Sequence, residues 1–399
     1  MDKLICLKKY FGYDNFRYPQ EEIIDSVING LDTIAIMPTG FGKSVTFQIP
    51  ALMLDGLTIV ISPLIALMED QKRILINRNI KADVLNSNLS HEEQMVLFRR
   101  IRKEEIKILY VSAERLENNY FLKEILNVKI SLVVLDEAHT VIWADGFREA
   151  FGRINNFINS LDNRPTLLAL TATATKDIIV KIKECLGMIN PNLITSEIDR
   201  PNLNYYVFKP FDKFNFLLKI IEKRKQTKGI IYCLTRRKVE VLSSKLNEFG
   251  IKNVIYHGGL DEDIKNINQG LFTKGIINLM ICTNAFGMGI DIPDIRFVVN
   301  YEIPQSIEDL VQEMGRAARD CGYADCFVLF SFKDIHTIKY FIDNINCDNE
   351  KIIKNQSLRK LDKLIDFCLS KECRHRYISN YFGKEIKCCR FHCDNCKKM

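Results

Sequence analysis

The stretch Ile34-Ala-Ile-Met37-Pro-Thr39-Gly40-Phe-Gly42-Lys43-Ser44 runs from a short apolar segment through a glycine-containing turn toward a helical pattern. A strand that turns and restarts as a helix gathers backbone N–H groups and the positive end of a helix dipole at one point, which is how a loop holds phosphate. Gly40 and Gly42 allow close backbone approach, Thr39 belongs to the same turn, Lys43 can reach the outer phosphates of a nucleoside triphosphate, and the Ser44 hydroxyl can ligate magnesium. Met37 stands in the first position, where the generic pattern has glycine.

Outward from this junction the same rhythm recurs. Leu57–Ser62, Lys107–Ser112, Leu132–Leu135 and Thr166–Thr171 read as buried strands, each followed by turn residues and a helical period. Such alternation means a parallel sheet covered on both faces. Asp199-Arg-Pro-Asn202 interrupts it as a connector. The rhythm then resumes at Gly229–Cys233, Lys252–Tyr256, Ile277–Cys282, Phe297–Asn300 and Asp325–Phe330. The expected fold class is α/β: two tandem parallel-sheet domains, residues 1–203 and 204–335, followed by a small helical region, 336–399, rich in lysine and then cysteine.

Composition narrows the function classes. The 399 residues carry 56 Lys and Arg against 50 Asp and Glu, a surplus of +6 that permits a polyanionic partner without demanding one. The longest apolar run, Thr58 to Met68, is interrupted by Ser62 and Pro63, so no membrane span is expected. Charges and Pro19 come early, which argues against a secretory signal and for the cytosol, with nucleoid association if the source is bacterial. Thirteen cysteines in a chain of this kind are read as reduced thiols rather than disulfides.

Leu132-Val-Val-Leu-Asp136-Glu137-Ala138-His139 is an apolar strand ending in paired carboxylates. Asp136 can hold magnesium while Glu137 polarises the attacking water, which together with the phosphate loop points to ATP hydrolysis. At the far end, Cys373 is followed by Cys389-x-x-x-Cys393-x-x-Cys396, four thiolates suited to a closed tetrahedral zinc site. Cys388 and His392 are alternatives to Cys389 as the third ligand.

The order of these segments resembles the superfamily-two helicases, and more closely the RecQ family of DNA helicases. The resemblance runs from Phe11-Gly-Tyr13-Asp-Asn-Phe-Arg17-Tyr-Pro-Gln20 through Ser62-Pro-Leu, Thr171-Ala-Thr173, Tyr256-His-Gly-Gly, Ala285-Phe-Gly-Met-Gly-Ile290 and Gln312-Glu-Met-Gly-Arg316-Ala-Ala-Arg319 to the terminal cysteines. It implies that Tyr13 and Arg17 pack against adenine while Gln20 bonds its edge. Arg319 resembles the family's arginine finger, and Arg316, three residues earlier, is expected on the same helix face, both aimed at the nucleotide across the cleft between domains. His139 would link the carboxylates to Thr171-Ala-Thr173 or to those arginines, a capped surface histidine being the alternative. Hydroxyls at strand ends, Ser62, Thr171, Thr173 and Thr283, would grip DNA phosphates. Thr140 to Phe151, with Trp143, Phe147 and Arg148, corresponds to the family's aromatic-rich loop, one residue shorter. Ala113, Ile292, Ala318 and Cys321 depart from the family's usual residues, the last two replacing glycines.

The resemblance implies that both parallel-sheet domains are RecA-like, with a small helical zinc-binding domain after them, and that the chain is an ATP-dependent 3′-to-5′ DNA helicase or translocase using ATP, Mg2+ and Zn2+. Its expected partners are single-stranded and partly duplex DNA and proteins of repair or recombination. The sequence stops just past the cysteines, so a short form without winged-helix and further C-terminal domains is expected. An RNA helicase and a DNA-binding adaptor with a weakened motor are the alternatives.

Overall fold

The computed structural model describes all residues except 1, 39–40, 64, 87–88, 139–146, 173–175, 197–198, 287–291, 347–349 and 399, together with the side chains of 66, 147–151, 176 and 398. The chain divides into two units, Met1–Ile198 and Asp199–Met399.

The first unit is a seven-stranded sheet of β1 (Thr33–Ile36), β2 (Leu57–Ile61), β3 (Ala82–Leu85), β4 (Ile108–Val111), β5 (Ile130–Leu135), β6 (Thr166–Thr171) and β7 (Asn192–Thr195). They lie in the order β3-β4-β2-β5-β6-β1-β7, all paired in parallel. Side chains alternate between two apolar layers. Ile34, Ile36, Ile59, Ile61, Val133 and Leu135 pack into one. Ala35, Val60, Leu132, Val134, Leu168 and Leu170 pack into the other. Because both faces are buried, the strands read as continuous apolar runs.

The second unit is a six-stranded parallel sheet: β8 (Leu203–Phe208), β9 (Lys228–Tyr232), β10 (Val254–Tyr256), β11 (Leu279–Cys282), β12 (Ile295–Asn300) and β13 (Ala324–Leu329). Its order is β10-β11-β9-β12-β13-β8. The helices Lys213–Glu222 and Arg236–Glu248 cover one face through Leu217, Ile220, Val239 and Leu242. The helices Phe332–Asp343, Glu350–Leu369 and Arg374–Tyr381 then lead into the cysteine loop. No helix among the described residues is long and apolar enough to cross a membrane.

The two RecA-like sheets and the helical cysteine-bearing region agree with expectation. Three strands do not appear in the sequence reading: β3, β7 and β8. Two are the edges of the first sheet and the third is an edge of the second. Edge strands need fewer apolar residues; β7 leaves Asn192 and Leu193 exposed, and β8 alternates buried with half-buried positions over its first half. The division at Ile198/Asp199 lies a few residues before the expected boundary at 203, because Arg200 and Asn202 bond to the backbone of residues 315–322.

Candidate nucleotide site and cysteine centre

β1 continues its ladder one residue beyond the strand, with Met37 N–H donating to the Thr171 carbonyl at 2.9 Å. Met37 is wholly buried in the core, which accounts for an apolar residue at that position. The chain then turns through the phosphate loop into the helix Val45–Met53. Thr39 and Gly40 lie outside the described residues. Gly42 has φ +74°, and a Cβ there would lie 2.5 Å from Gln20 Nε2, so only glycine fits. Gln20 itself is buried. Its Nε2 donates to the carbonyls of Phe41 (2.9 Å) and Gly42 (3.1 Å), and its Oε1 accepts from Arg17 N–H at 2.9 Å. The residue that the resemblance assigns to the adenine edge is thus also a brace for the phosphate loop. Tyr13 and Arg17 are exposed nearby in sequence.

At the end of β5, Asp136 N–H donates to the Ile61 carbonyl at 2.9 Å, which keeps the carboxylate strand in register with β2. Glu137 follows in the left-handed region, φ +48°, and its N–H donates to Asp136 Oδ1 at 3.0 Å. That turn sends the Glu137 carboxylate toward Lys43, with Oε1 2.6 Å from Nζ. Burial, then the neighbouring Glu137 charge, push the Asp136 carboxyl up to about 6, with Lys43 opposing. A buried carboxylate beside a second one is a site that gains by taking up a hard divalent cation, so the donor set fits Mg2+. His139 and Thr173 lie outside the described residues, as do Trp143 and the side chains of Phe147, Arg148 and Phe151.

In the second unit the expected shared helix face for Arg316 and Arg319 is corrected. The helix Ile307–Met314 ends before both. Arg316 is buried and Arg319 half-buried in the turns that follow, and Ala318 (φ +49°) and Cys321 (φ +66°) are left-handed. The buried Arg200 guanidinium takes the carbonyls of Gly315, Ala317 and Ala318, which would otherwise have continued the helix ladder. Glycines suit both left-handed positions, which explains the residues usual in the family there. Sequence reasoning also missed Glu313, whose carboxyl is pushed up to about 8, by burial and then Asp309, while Asn300 Nδ2 donates to it.

Ser62, Thr171 and Thr283, the hydroxyls expected to grip DNA phosphates, are buried at the carboxyl ends of β2, β6 and β11.

The cysteine centre gathers Cys373, Cys389, Cys393 and Cys396, whose sulfurs all lie within 4.8 Å of one another. Cys388 is exposed, with its sulfur 3.8 Å from Arg376 Nη1. His392 Nδ1 lies 3.0 Å from Asn204 Oδ1, and its ring stacks on Tyr323. Cys389, rather than Cys388 or His392, therefore completes the cluster that could hold a metal. Cys389 N–H donates to Cys373 Sγ (3.3 Å) and Cys396 N–H to Cys393 Sγ (3.4 Å), bonds that favour thiolates. Burial opposes this at Cys373, yet the amides prevail and its thiol falls to about 7. Burial, with the neighbouring sulfurs, pushes the Cys389 and Cys396 thiols up instead; four sulfurs gathered this closely fit tetrahedral Zn2+. The loop also pairs with the edge of β8: Tyr205 N–H donates to the His392 carbonyl (2.9 Å) and Asp394 N–H to the Tyr205 carbonyl (3.0 Å). Arg374 grips Asp394 through two nitrogens, and His375 Nδ1 lies 2.5 Å from Asp199 Oδ1.

Three family matches cover most of the chain: DEAD/DEAH box helicase over residues 17–180, helicase conserved C-terminal domain over 212–321, and RecQ zinc-binding over 332–397. The chain is 36% identical over 393 residues to the ATP-dependent DNA helicase RecQ of Bacillus subtilis, covering 98% of this chain and 66% of that protein. It is 39% identical over 399 residues to the putative ATP-dependent RNA helicase R290 of Acanthamoeba polyphaga mimivirus, covering 98% and 71%. The fold is similar to that of the helicase MrfA bound to DNA, with TM-score 0.71, 18% identity, and coverage of 97% of this chain and 56% of the other.

Proposed function

The chain belongs to the RecQ family of helicases, and from that premise we propose that it is an ATP-dependent DNA helicase or translocase moving 3′ to 5′ along single-stranded DNA. ATP, Mg2+ and Zn2+ are the cofactors implied by the helicase and zinc-binding matches and by the cysteine cluster. The observation that carries the proposal is the ion pair between Lys43 of the phosphate loop and Glu137 of the carboxylate strand.

Lys43 holds the outer phosphates of ATP, with the loop amides around Gly42 and the Gln20 brace keeping that loop in shape. Ser44 and Asp136 would hold Mg2+, whose chemistry is to neutralise charge on the phosphates. Glu137 orients and polarises the attacking water, and Arg319, with Arg316 beside it in sequence, stabilises charge growing on the transferred phosphoryl group. His139 relays between carboxylates and the rest of the motor, and Tyr13 and Arg17 stack on the adenine. Partly duplex DNA of repair or recombination is the proposed substrate, in the cytosol, with proteins of those processes as partners.

The test is strand separation of 3′-tailed and 5′-tailed duplexes with ATP, beside Lys43→Ala. Separation of the 5′-tailed substrate alone would refute the polarity, and activity of Lys43→Ala would refute the motor. A second reading, RNA unwinding, is favoured by the similarity to the putative ATP-dependent RNA helicase of the mimivirus. Comparing ATPase stimulation by single-stranded DNA and RNA decides between them.

A further inference from the structure

Arg316 and Arg319 sit in a segment whose backbone lacks a helix ladder, yet their side chains need fixed directions if they are to act on a phosphoryl group. The connector that opens the second unit supplies one such constraint on the backbone. Arg200, 6% exposed, donates through Nη1 to the Gly315 carbonyl at 3.0 Å and through Nη2 to those of Ala317 at 3.0 Å and Ala318 at 2.7 Å. Asn202 Nδ2 donates to the Ala318 carbonyl at 3.3 Å and to that of Gly322 at 2.7 Å. From the other side, Ala318 N–H donates to the Ile295 carbonyl at 2.9 Å.

The clamped carbonyls bracket both arginines. The Gly315 carbonyl belongs to the peptide plane that leads into Arg316 and the Ala318 carbonyl to the one that leads into Arg319, so Arg200 holds the plane on the N-terminal side of each arginine. Ala318 is left-handed, φ +49°, which a residue with a Cβ adopts only under constraint. A planar guanidinium can bond several carbonyls at fixed angles; a lysine ammonium at the same place cannot reproduce that fork.

We propose that Arg200 and Asn202 are positioning residues for ATP hydrolysis, holding the segment of Arg316 and Arg319 in the conformation from which the arginine finger acts. The proposal rests on the role given to Arg319 above. The connector thereby acquires a part in catalysis, because the residues that begin the second unit also shape its finger. Asp199, one position earlier, bonds His375 next to the cysteine centre, so the same short connector is anchored on two sides.

The experiment measures kcat and ATP KM of DNA-stimulated hydrolysis by the full chain for Arg200→Lys, Asn202→Ala, Arg319→Ala and the Arg200→Lys/Arg319→Ala pair, with thermal midpoints as the folding control. Arg200→Lys should lower kcat by about tenfold or more with KM changed by less than about twofold, since a misplaced group acting in the transition state is lost from kcat. The double variant should be no slower than Arg319→Ala alone. Full kcat in folded Arg200→Lys and Asn202→Ala, or losses that multiply in the double variant, would overturn the clamp. Where Arg200→Lys does not fold, Asn202→Ala, which removes only the bonds to Ala318 and Gly322, decides on the same readouts. Undiminished hydrolysis by Arg319→Ala is a different result: it removes the role assigned to Arg319 itself.

Discussion

Lys43 Nζ lies 2.6 Å from Glu137 Oε1, joining the start of one helix to the end of a strand remote in sequence. Both side chains are about nine-tenths buried, so the pair is more than a screened surface contact. Glu137→Gln keeps the shape and removes the charge. It should bind ATP at least as well as the parent while hydrolysing it about a hundredfold more slowly or worse, the usual scale for a lost general base. Lys43→Ala should lose binding and turnover together. Fluorescent-nucleotide titration beside a phosphate-release assay separates the two; turnover by Glu137→Gln near the parental rate would remove the water-activating role.

Asp136 has a carboxyl raised from 3.8 to about 6, by burial first and Glu137 second. The folded chain therefore holds this proton more tightly than the unfolded one. The stability linked to it is fully present below about 4 and is lost as pH rises through about 6. In EDTA, Asp136→Asn should raise the thermal midpoint more at pH 7.5 than at pH 5. Because protons compete with the cation, added Mg2+ should in turn stabilise the parent more at pH 7.5 than at pH 5.5. Equal gains at both pH values would mean that burial of the charge is not what the substitution relieves.

Purified protein should hold about one zinc per chain. Cys389→Ser should lose the metal, and protease sensitivity should appear after about residue 369, since metal binding supplies folding free energy to such a centre. Cys388→Ser should keep both metal and resistance, its sulfur being exposed beside Arg376. Elemental analysis with limited proteolysis reads both. Metal loss in Cys388→Ser with retention in Cys389→Ser would reverse the ligand assignment.

Ala318 and Cys321 occupy left-handed backbone with φ +49° and +66°. Replacing Ala318 by glycine relieves that conformation, and after the extra freedom glycine gains in the unfolded chain the net should be about 0.5–1 kcal/mol of added stability. Chemical denaturation of Ala318→Gly measures it. A loss of stability instead would show that the methyl packs usefully where it is.

The residues proposed for the nucleotide and metal sites were picked out by type and local spacing. Lys43, Asp136, Glu137, Cys373, Cys393 and Cys396 were picked out at strand ends, a helix start or a tight Cys-x-x-Cys step, where short-range order already places them. The two parallel sheets followed from apolar runs that are continuous because both faces are buried. The edge strands β3, β7 and β8 were not legible, since an edge has one neighbour and a weaker apolar demand.

Only the tertiary structure decided the rest, because it depends on bonds between residues far apart in the chain. Cys389 joins the sulfurs of Cys373, Cys393 and Cys396, while the adjacent Cys388 lies exposed beside Arg376, a choice that spacing left open. Gln20 became a brace for the phosphate loop because helix Gln20–Ile28 brings its amide against Phe41 and Gly42. The Arg316 and Arg319 segment left the helix that its sequence suggested because Arg200, more than a hundred residues earlier, takes its carbonyls. Local sequence sets which backbone conformations are cheap; a distant buried guanidinium with several donors can select a costlier one.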